Sequence, residues 1–242
     1  MAKALLEAGA TVYALDRLDP SQQAPEFVQI QNQASSDYGT SLNYRQIDVR
    51  DVPQLNETIF QIAREHGRLD GLIHAAGIQQ ETPALEYTQA DVNKMFETNV
   101  TGTYMTAQAT ARAMLDVNPK DTLGSIAFIA SMSAGVANKG LICSAYNSSK
   151  AAVVQLARNL AAEWGEYGIR VNTISPGYIV TAMVEELFKT HPERRGQWAS
   201  ENMLGRLSKP EDFRSAAVFL MGGGSSWMTG ADLRIDGGHC AW

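Results

Sequence analysis

The sequence predicts an α/β protein built on a doubly wound parallel sheet, and three observations predict it. Short apolar β-rich runs alternate with helical patterns from the first residue to the last. Such alternation implies parallel strands joined by right-handed crossovers, with helices on both faces. No repeat, linker or charge block interrupts it, so residues 1–242 read as a single domain. Binding sites in sheets of this kind lie beyond the C-terminal strand ends.

Taken in order, "AKALLEA" at 2–8 consists of strong helix formers closed by Gly9, and "TVYALD" at 11–16 is the first strand. Residues 18–43, rich in Gln, Ser and Pro, read as a surface excursion with little regular structure. "NYRQIDV" is a strand leading to the helix "PQLNETIFQIAREH", with Pro53 in its first turn. "LDGLIHAAG" is a buried strand running into small residues. Residues 88–115 predict one long helix with Thr88 as cap and Asp91 at the capping-box position. "GSIAFIAS" is the next strand, 145–164 the next helix, and "IRVNTIS" a strand ended by Pro176 and Gly177. A helix at 211–221 and the strand "ADLRID" complete the pattern, and "GGGSS" at 222–226 reads as a loop.

Composition narrows the function classes. A formal net charge of −6 with no basic stripe argues against nucleic acid as a partner. No run of about 18 apolar residues is present, which gives no membrane span, and the first residues read as a helix and not a signal peptide. The two cysteines, Cys143 and Cys240, and the four scattered histidines lack metal-ligand spacing. A reduced, cytoplasmic setting and no metal are the expectation.

The stretch "SMSAGVANKGLICSAYNSSK" at 131–150 carries the chemistry. Tyr146 and Lys150 stand four residues apart, which on a helix puts them on one face. Ser133 follows the end of a strand thirteen residues before Tyr146, so both fall on the edge where a ligand lies. A phenol beside an ammonium is suited to proton exchange, because the cation stabilises the phenolate and lowers a pKa that is otherwise about 10.

A serine followed by Tyr-x-x-x-Lys, here "YNSSK", resembles the signature of the short-chain dehydrogenase/reductase family. The likeness extends through "IDVRD" at 47–51, "HAAG" at 74–77, "TNV" at 98–100, "PGYIVT" at 176–181 and "DGGH" at 236–239. Within the family the chain is most similar to fungal sorbose-reductase-like and polyol dehydrogenases, which interconvert a ketone and a secondary alcohol.

The resemblance implies a Rossmann-like fold, a nicotinamide cofactor, and a sugar, polyol or other small carbonyl or alcohol substrate. Tyr146 becomes the proton donor, Ser133 the group that holds the substrate oxygen, with Ser131 as its rival. Lys150 supports both the phenol and the nicotinamide ribose, and Asn99 kinks the long helix and holds a relay water. Asp16, ending its strand, accepts the adenosine ribose hydroxyls and repels a 2′-phosphate, which favours NAD, while Arg17 leaves NADP open. Asp48 and Val49 flank the adenine, and Ala76 and Gly77 let backbone approach the cofactor. Pro176, Gly177, Ile179 and Thr181 complete that set. His74 or Ala75 stands where the family usually has Asn.

Met183, Val184, Leu187, Phe188, Trp198 and Met203 correspond to the segment that covers the substrate. Pairing through 88–115 and 145–164 implies a homodimer or homotetramer.

Against the family pattern, the chain opens inside the first helix, without the first strand or the TGxxxGxG turn. The expectation is open edges on the strands at 11–16 and 70–75, lower stability and weaker NAD binding than in a version with that segment. A family scaffold impaired in cofactor binding, acting as a non-redox isomerase, a binding protein or an inactive subunit, is the alternative.

Overall fold

The computed structural model describes residues 1–118 and 123–242. Two parallel sheets organise them. Strand β1 (Val12–Asp16) pairs with β2 (Leu42–Gln46), Val12 opposite Leu42 and Asp16 opposite Gln46. Strands β3 (Gly71–His74), β4 (Gly124–Ile129), β5 (Ile169–Pro176) and β6 (Asp232–Ile235) form a second sheet in that order. The parallel sheet is divided between β1 and β3, each paired on one edge, in line with the open edges expected on these two strands.

Strand β4 shows why helices cover both faces. Alternate residues point to opposite sides. Ile126 and Phe128 pack with Met114, Val153, Ala157 and Leu160, whereas Ala127 joins Ile174, Phe213 and Leu220. Each large side chain buried in this way contributes about 1.5–3 kcal/mol.

Helix α1 (Ala2–Glu7) buries Leu6 against Ala34 and Leu42, and Glu7 ion-pairs with Arg214. Residues 18–43 are more ordered than expected, because they hold helix α2 (Pro25–Asp37). Pro25 starts it, and Phe27, Ile30 and Ala34, spaced three and four apart, turn one face onto Leu6 and Leu42. Polar composition hid this narrow apolar stripe. Helix α3 (Val52–His66) is capped by the Asp51 carboxylate, which accepts from Gln54 N at 3.1 Å. It ends where Gly67 adopts φ 63°, and it buries Leu55, Ile59, Ile62 and Ala63.

The segment 88–115 is not one uniform helix. Helix α4 (Gln89–Phe96) starts with the expected Thr88–Asp91 capping box, then a π-helical turn spans Glu97–Thr101 before α5 (Gly102–Val117). Helix α6 (Ser144–Trp164) follows β4, and α7 (Ala182–Thr190) and α8 (Glu193–Ser200) follow β5. The expected helix at 211–221 begins as a tight turn over Pro210–Phe213 and becomes α9 (Arg214–Met221).

Strands β4 and β5 are hydrogen-bonded on both edges and almost wholly buried, while the residues of β1 and β3 are mostly half-buried. Hydrogen exchange followed by mass spectrometry is therefore expected to show the slowest amides in β4 and β5, with β1 and β3 at least tenfold faster. Equal protection across the four strands would contradict this pairing.

Candidate active site

Parallel strands end on a common edge, and there the sequence delivers its chemistry. Tyr146 and Lys150 lie in the first two turns of α6, on one face as their spacing requires, with the Lys150 ammonium 5.8 Å from the Tyr146 ring centroid. Lys150 is buried and donates to the Ile129 carbonyl at the end of β4, 2.7 Å away. Burial lowers its pKa to about 8. Tyr146 departs from the sequence expectation. Burial pushes its phenol above the ordinary value, and the Ser131 hydroxyl opposes that shift by hydrogen bonding. Loss of hydration outweighs any help to the phenolate, so Tyr146 is held as a neutral phenol.

The two serines divide differently from the spacing argument. Ser131 is the one that interacts with the Tyr146 hydroxyl. Its Oγ also accepts from Ser133 N at 3.2 Å. Ser133 turns away and donates to Asn138 Oδ1 at 2.8 Å. The short turn Met132–Ala134 that follows β4 separates them. Thirteen-residue spacing points to Ser133, but a loop between strand and helix can vary in length, and proximity to the phenol belongs to Ser131.

Asn99 sits in the π-helical turn, a common marker of functional positions inside helices. It is buried, accepts from Ile78 N at 2.8 Å, and donates to Ile78 O at 2.9 Å and Ser149 Oγ at 3.0 Å. Beside it, a Cβ on Gly77 would lie 3.3 Å from Asn99 Oδ1 and 3.4 Å from Lys150 Nζ. Ala75, Ala76 and Gly77 are exposed. A strip of small residues thus leaves backbone open next to a buried ammonium, which suits a large anionic cofactor.

His74, at the end of β3, is a site residue the sequence reading treated as structural. It is buried, its Nδ1 meets Thr103 Oγ1 at 3.2 Å, and Nε2 has no partner. Burial, reinforced by the charge of Lys150, lowers its pKa to about 4. Its sequence signals are the strand-end position and the departure from the family's usual Asn at His74 or Ala75.

The remaining predicted residues follow β1 and β2 on the smaller sheet or β5 on the larger one, with different local duties. Asp16 is exposed at the end of β1, its Oδ1 accepting from Leu18 N at 3.1 Å. Asp48 is gripped by Arg50, at 2.6 Å to Nη2, and that pairing lowers its carboxyl to about 2. Val49 packs on Gly102, where a Cβ would stand 2.7 Å from Val49 Cγ2. Pro176 ends β5, and Gly177 is required because a Cβ there would sit 2.8 Å from Asp236 Cα. Ile179 bridges to Ser208, and Thr181 caps α7. Phe188 and Trp198 are buried and packed edge to face, Val184 and Leu187 are half-buried, and Met203 is exposed. The Met183 side chain lies outside the described residues. Among the described residues no cluster of metal-ligating side chains occurs, and no helix is long and apolar enough to cross a membrane.

Comparison with known proteins agrees with this geometry. The family described as enoyl-(acyl carrier protein) reductase, a branch of the short-chain dehydrogenases, matches residues 1–239. The short-chain dehydrogenase/reductase notP' of Aspergillus versicolor is 45% identical over 247 residues, covering 100% of this chain and 82% of the relative. The ribulose-forming D-arabinitol 2-dehydrogenase of Candida albicans is 34% identical over 251 residues, covering 100% and 88%. A short-chain dehydrogenase/reductase structure from Mycobacterium marinum superposes with a TM-score of 0.87 at 34% identity, covering 98% of this chain and 89% of the other. The chain belongs to the short-chain dehydrogenase/reductase family, and its activity is that of a nicotinamide-dependent oxidoreductase.

A buried neutral histidine has a pH signature. Its folded pKa of about 4 lies below the unfolded value of 6.5, so the unfolded chain binds more protons in between, and stability falls as pH drops from 6.5 to 4. His74→Asn removes this term. Melting curves from pH 7 to pH 4.5 are expected to show the wild type losing about 2–3 kcal/mol more than the variant. Parallel curves would refute the buried neutral state.

Proposed function

We propose that the chain interconverts a polyhydroxy ketone and the corresponding secondary alcohol, with NAD as its cofactor. The observation that carries this reading is Tyr146, a neutral phenol with Ser131 on its hydroxyl and the Lys150 ammonium on the same helix face. In the reducing direction Ser131 holds the substrate oxygen against Tyr146, and the phenol gives that oxygen its proton. A nicotinamide held at the backbone of Ala76 and Gly77 beside Lys150 would supply or take up the hydride at the substrate carbon. Lys150 stabilises the phenolate left behind and, with a pKa of about 8, can itself release a proton near neutral pH. Asn99 keeps the loop at Ile78 and the α6 face at Ser149 in register.

Ala76 and Gly77 would hold the cofactor by close backbone approach, joined by Lys150, Tyr146, Pro176, Gly177, Ile179 and Thr181. Asp16, Asp48 and Val49 would serve the adenosine end. The exposed carboxylate of Asp16 supports NAD over NADP, since it repels a 2′-phosphate. The polyol class is supported by relatives named D-arabinitol 2-dehydrogenase and galactitol 2-dehydrogenase. A homodimer or homotetramer in the cytoplasm completes the proposal.

Replacing Tyr146 by Phe deletes one hydroxyl and little volume. Ketose reduction by Tyr146→Phe is expected to fall at least 100-fold with an unchanged melting temperature. Ser131→Ala is expected to lose more activity than Ser133→Ala; the reverse order would return the oxygen-holding role to Ser133. For the cofactor, kcat/KM should favour NADH over NADPH, and Asp16→Ser should narrow that preference at least tenfold. A parent enzyme that already prefers NADPH would overturn the assignment.

A further inference from the structure

His74 ends β3, and the strip of small residues at 75–77 runs from it to Ile78. Asn99 holds the far end of that strip, because its side-chain oxygen and nitrogen both bond the Ile78 backbone, at 2.8 and 2.9 Å. The near end reaches the same residue by another route. Thr103 Oγ1 stands 2.7 Å from the Asn99 carbonyl oxygen and 3.2 Å from His74 Nδ1. His74, Asn99 and Thr103 are all buried, so no solvent competes for these contacts.

Counting hydrogens fixes the direction of this chain. Two oxygens 2.7 Å apart attract only with a hydrogen between them, and a carbonyl carries none, so the Thr103 hydroxyl gives its single proton to Asn99. Oγ1 then offers His74 only a lone pair, and Nδ1 has to bring the hydrogen. The ring is neutral near pH 7, since burial and the charge of Lys150 lower its pKa to about 4. A neutral imidazole has one N–H. His74 is therefore the Nδ1–H tautomer, and Nε2, which has no partner, carries a lone pair and not a hydrogen. Among buried backbone groups unpaired donors are rarer than unpaired acceptors, and the same preference favours this tautomer.

We infer that His74 and Thr103 are positioning residues that fasten the start of the small-residue strip to Asn99. The chain runs from the His74 N–H through the Thr103 hydroxyl to the Asn99 carbonyl, and consecutive bonds of this kind polarise one another. With the Ile78 bonds it closes a ring, in which residues 74 and 78 are both tied to one residue of the π turn. Ala75, Ala76 and Gly77 have no side chain long enough to fix their own path, so their shape is set from the two ends. That shape governs how closely the backbone meets a nicotinamide cofactor, a consequence that rests on the reading under Proposed function, whereas the tautomer and the ring do not.

A threonine that bonds the carbonyl four residues back is common in helices and by itself marks nothing. Thr106 and Thr110 do the same further along α5, at 2.7 Å to the Gly102 carbonyl and 2.8 Å to the Thr106 carbonyl. Thr103 differs in its second partner, because His74 comes from a strand 29 residues earlier. It also differs in place. Immediately before it the Gly102 N–H reaches back to the Glu97 carbonyl, the wide bond of the π turn. A turn of this kind is rare, and the tie to β3 holds it where Asn99 faces inward.

Nitrogen-15 NMR of the wild-type chain reads the tautomer, with the His74 signals assigned by their loss in His74→Asn. A protonated Nδ1 and a bare Nε2 are expected, and a protonated Nε2 overturns the inference whatever else is found. Titration with NADH, followed by its own emission, tests the positioning. The Kd is expected to rise about fivefold in Thr103→Val and in His74→Leu, the loss of one hydrogen bond. The double variant should bind within about twofold of the weaker single one, because both substitutions break the same chain. Thr103→Ser keeps the hydroxyl and His74→Asn keeps a donor near the Nδ1 position, so each should bind more tightly than Thr103→Val and His74→Leu respectively. If packing alone mattered, Val, the closer match to Thr in shape, would bind better than Ser. That order, or unchanged binding in both Thr103→Val and His74→Leu, overturns the positioning role. If the wild type binds neither NADH nor NADPH, the oxidoreductase reading fails separately. The ring is then judged by hydrogen exchange over residues 97–103, expected about tenfold faster in Thr103→Val than in Thr103→Ser, and equal exchange overturns it.

Discussion

One side chain ties the active edge together. Asn99 bonds the backbone of Ile78 through both its oxygen and its nitrogen, and reaches Ser149 on α6. It can do so because the helix widens into a π turn at Glu97–Thr101, which adds a residue and rotates Asn99 inward. Three elements far apart in sequence, the loop after β3, the α4–α5 segment and α6, thereby share one buried amide. Gly77 fits closely beside it, a Cβ there lying 3.3 Å from Asn99 Oδ1 and 3.4 Å from Lys150 Nζ. The small-residue strip and the ammonium keep their relation only while this amide holds.

Burial then sets the protonation states. Tyr146 and Lys150 both lose hydration, which raises the phenol and lowers the amine, so their ordinary values of about 10 and 10.5 move apart in the direction that favours the neutral forms. Ser131 works against this for Tyr146 by offering a hydrogen bond. His74 is pushed the same way as Lys150 and stays neutral beside it, which spares the site a second positive charge. In the proton-donor role proposed for it, a neutral Tyr146 would need no charge buried in advance, and the cost of the phenolate would be met only while the proton is in transit.

Much of this was legible in the sequence because parallel α/β proteins repeat a simple rhythm. Strands β4 and β5 read clearly as apolar runs, and the Tyr146–Lys150 spacing reads directly as one helix face. Helix α2 did not, since only Phe27, Ile30 and Ala34 mark its buried side in a Gln- and Ser-rich stretch. The π turn was also invisible, because no local propensity separates it from an α-helix. Ser131 against Ser133 could not be decided from spacing, which measures the chain and not the path it takes through the turn at Met132–Ala134.

The division of the sheet bears on how the two ends of the site are held relative to each other. Asp16 and the residues after β2 ride on the smaller sheet, while Lys150, Ser131 and Gly77 ride on or beside the larger one. Among the described residues no strand pairing joins the two. Helices do: α3 and α5 bury Ile47, Leu55, Ile59, Ala109 and Ala113 in one cluster that also receives Leu15 from β1 and Leu69 just before β3. At the other flank, Glu7 on α1 pairs with Arg214 at the start of α9. Apolar packing is strong but not directional, unlike a ladder of backbone hydrogen bonds, which fixes register residue by residue. The chemistry at Tyr146 therefore depends on the well-paired larger sheet, whereas the distance from that centre to Asp16 is set by helix packing. Under the roles proposed for Asp16 and Tyr146, substitutions that loosen the cluster around Ile59 and Ala109 are expected to act first on adenosine recognition and only later on proton transfer.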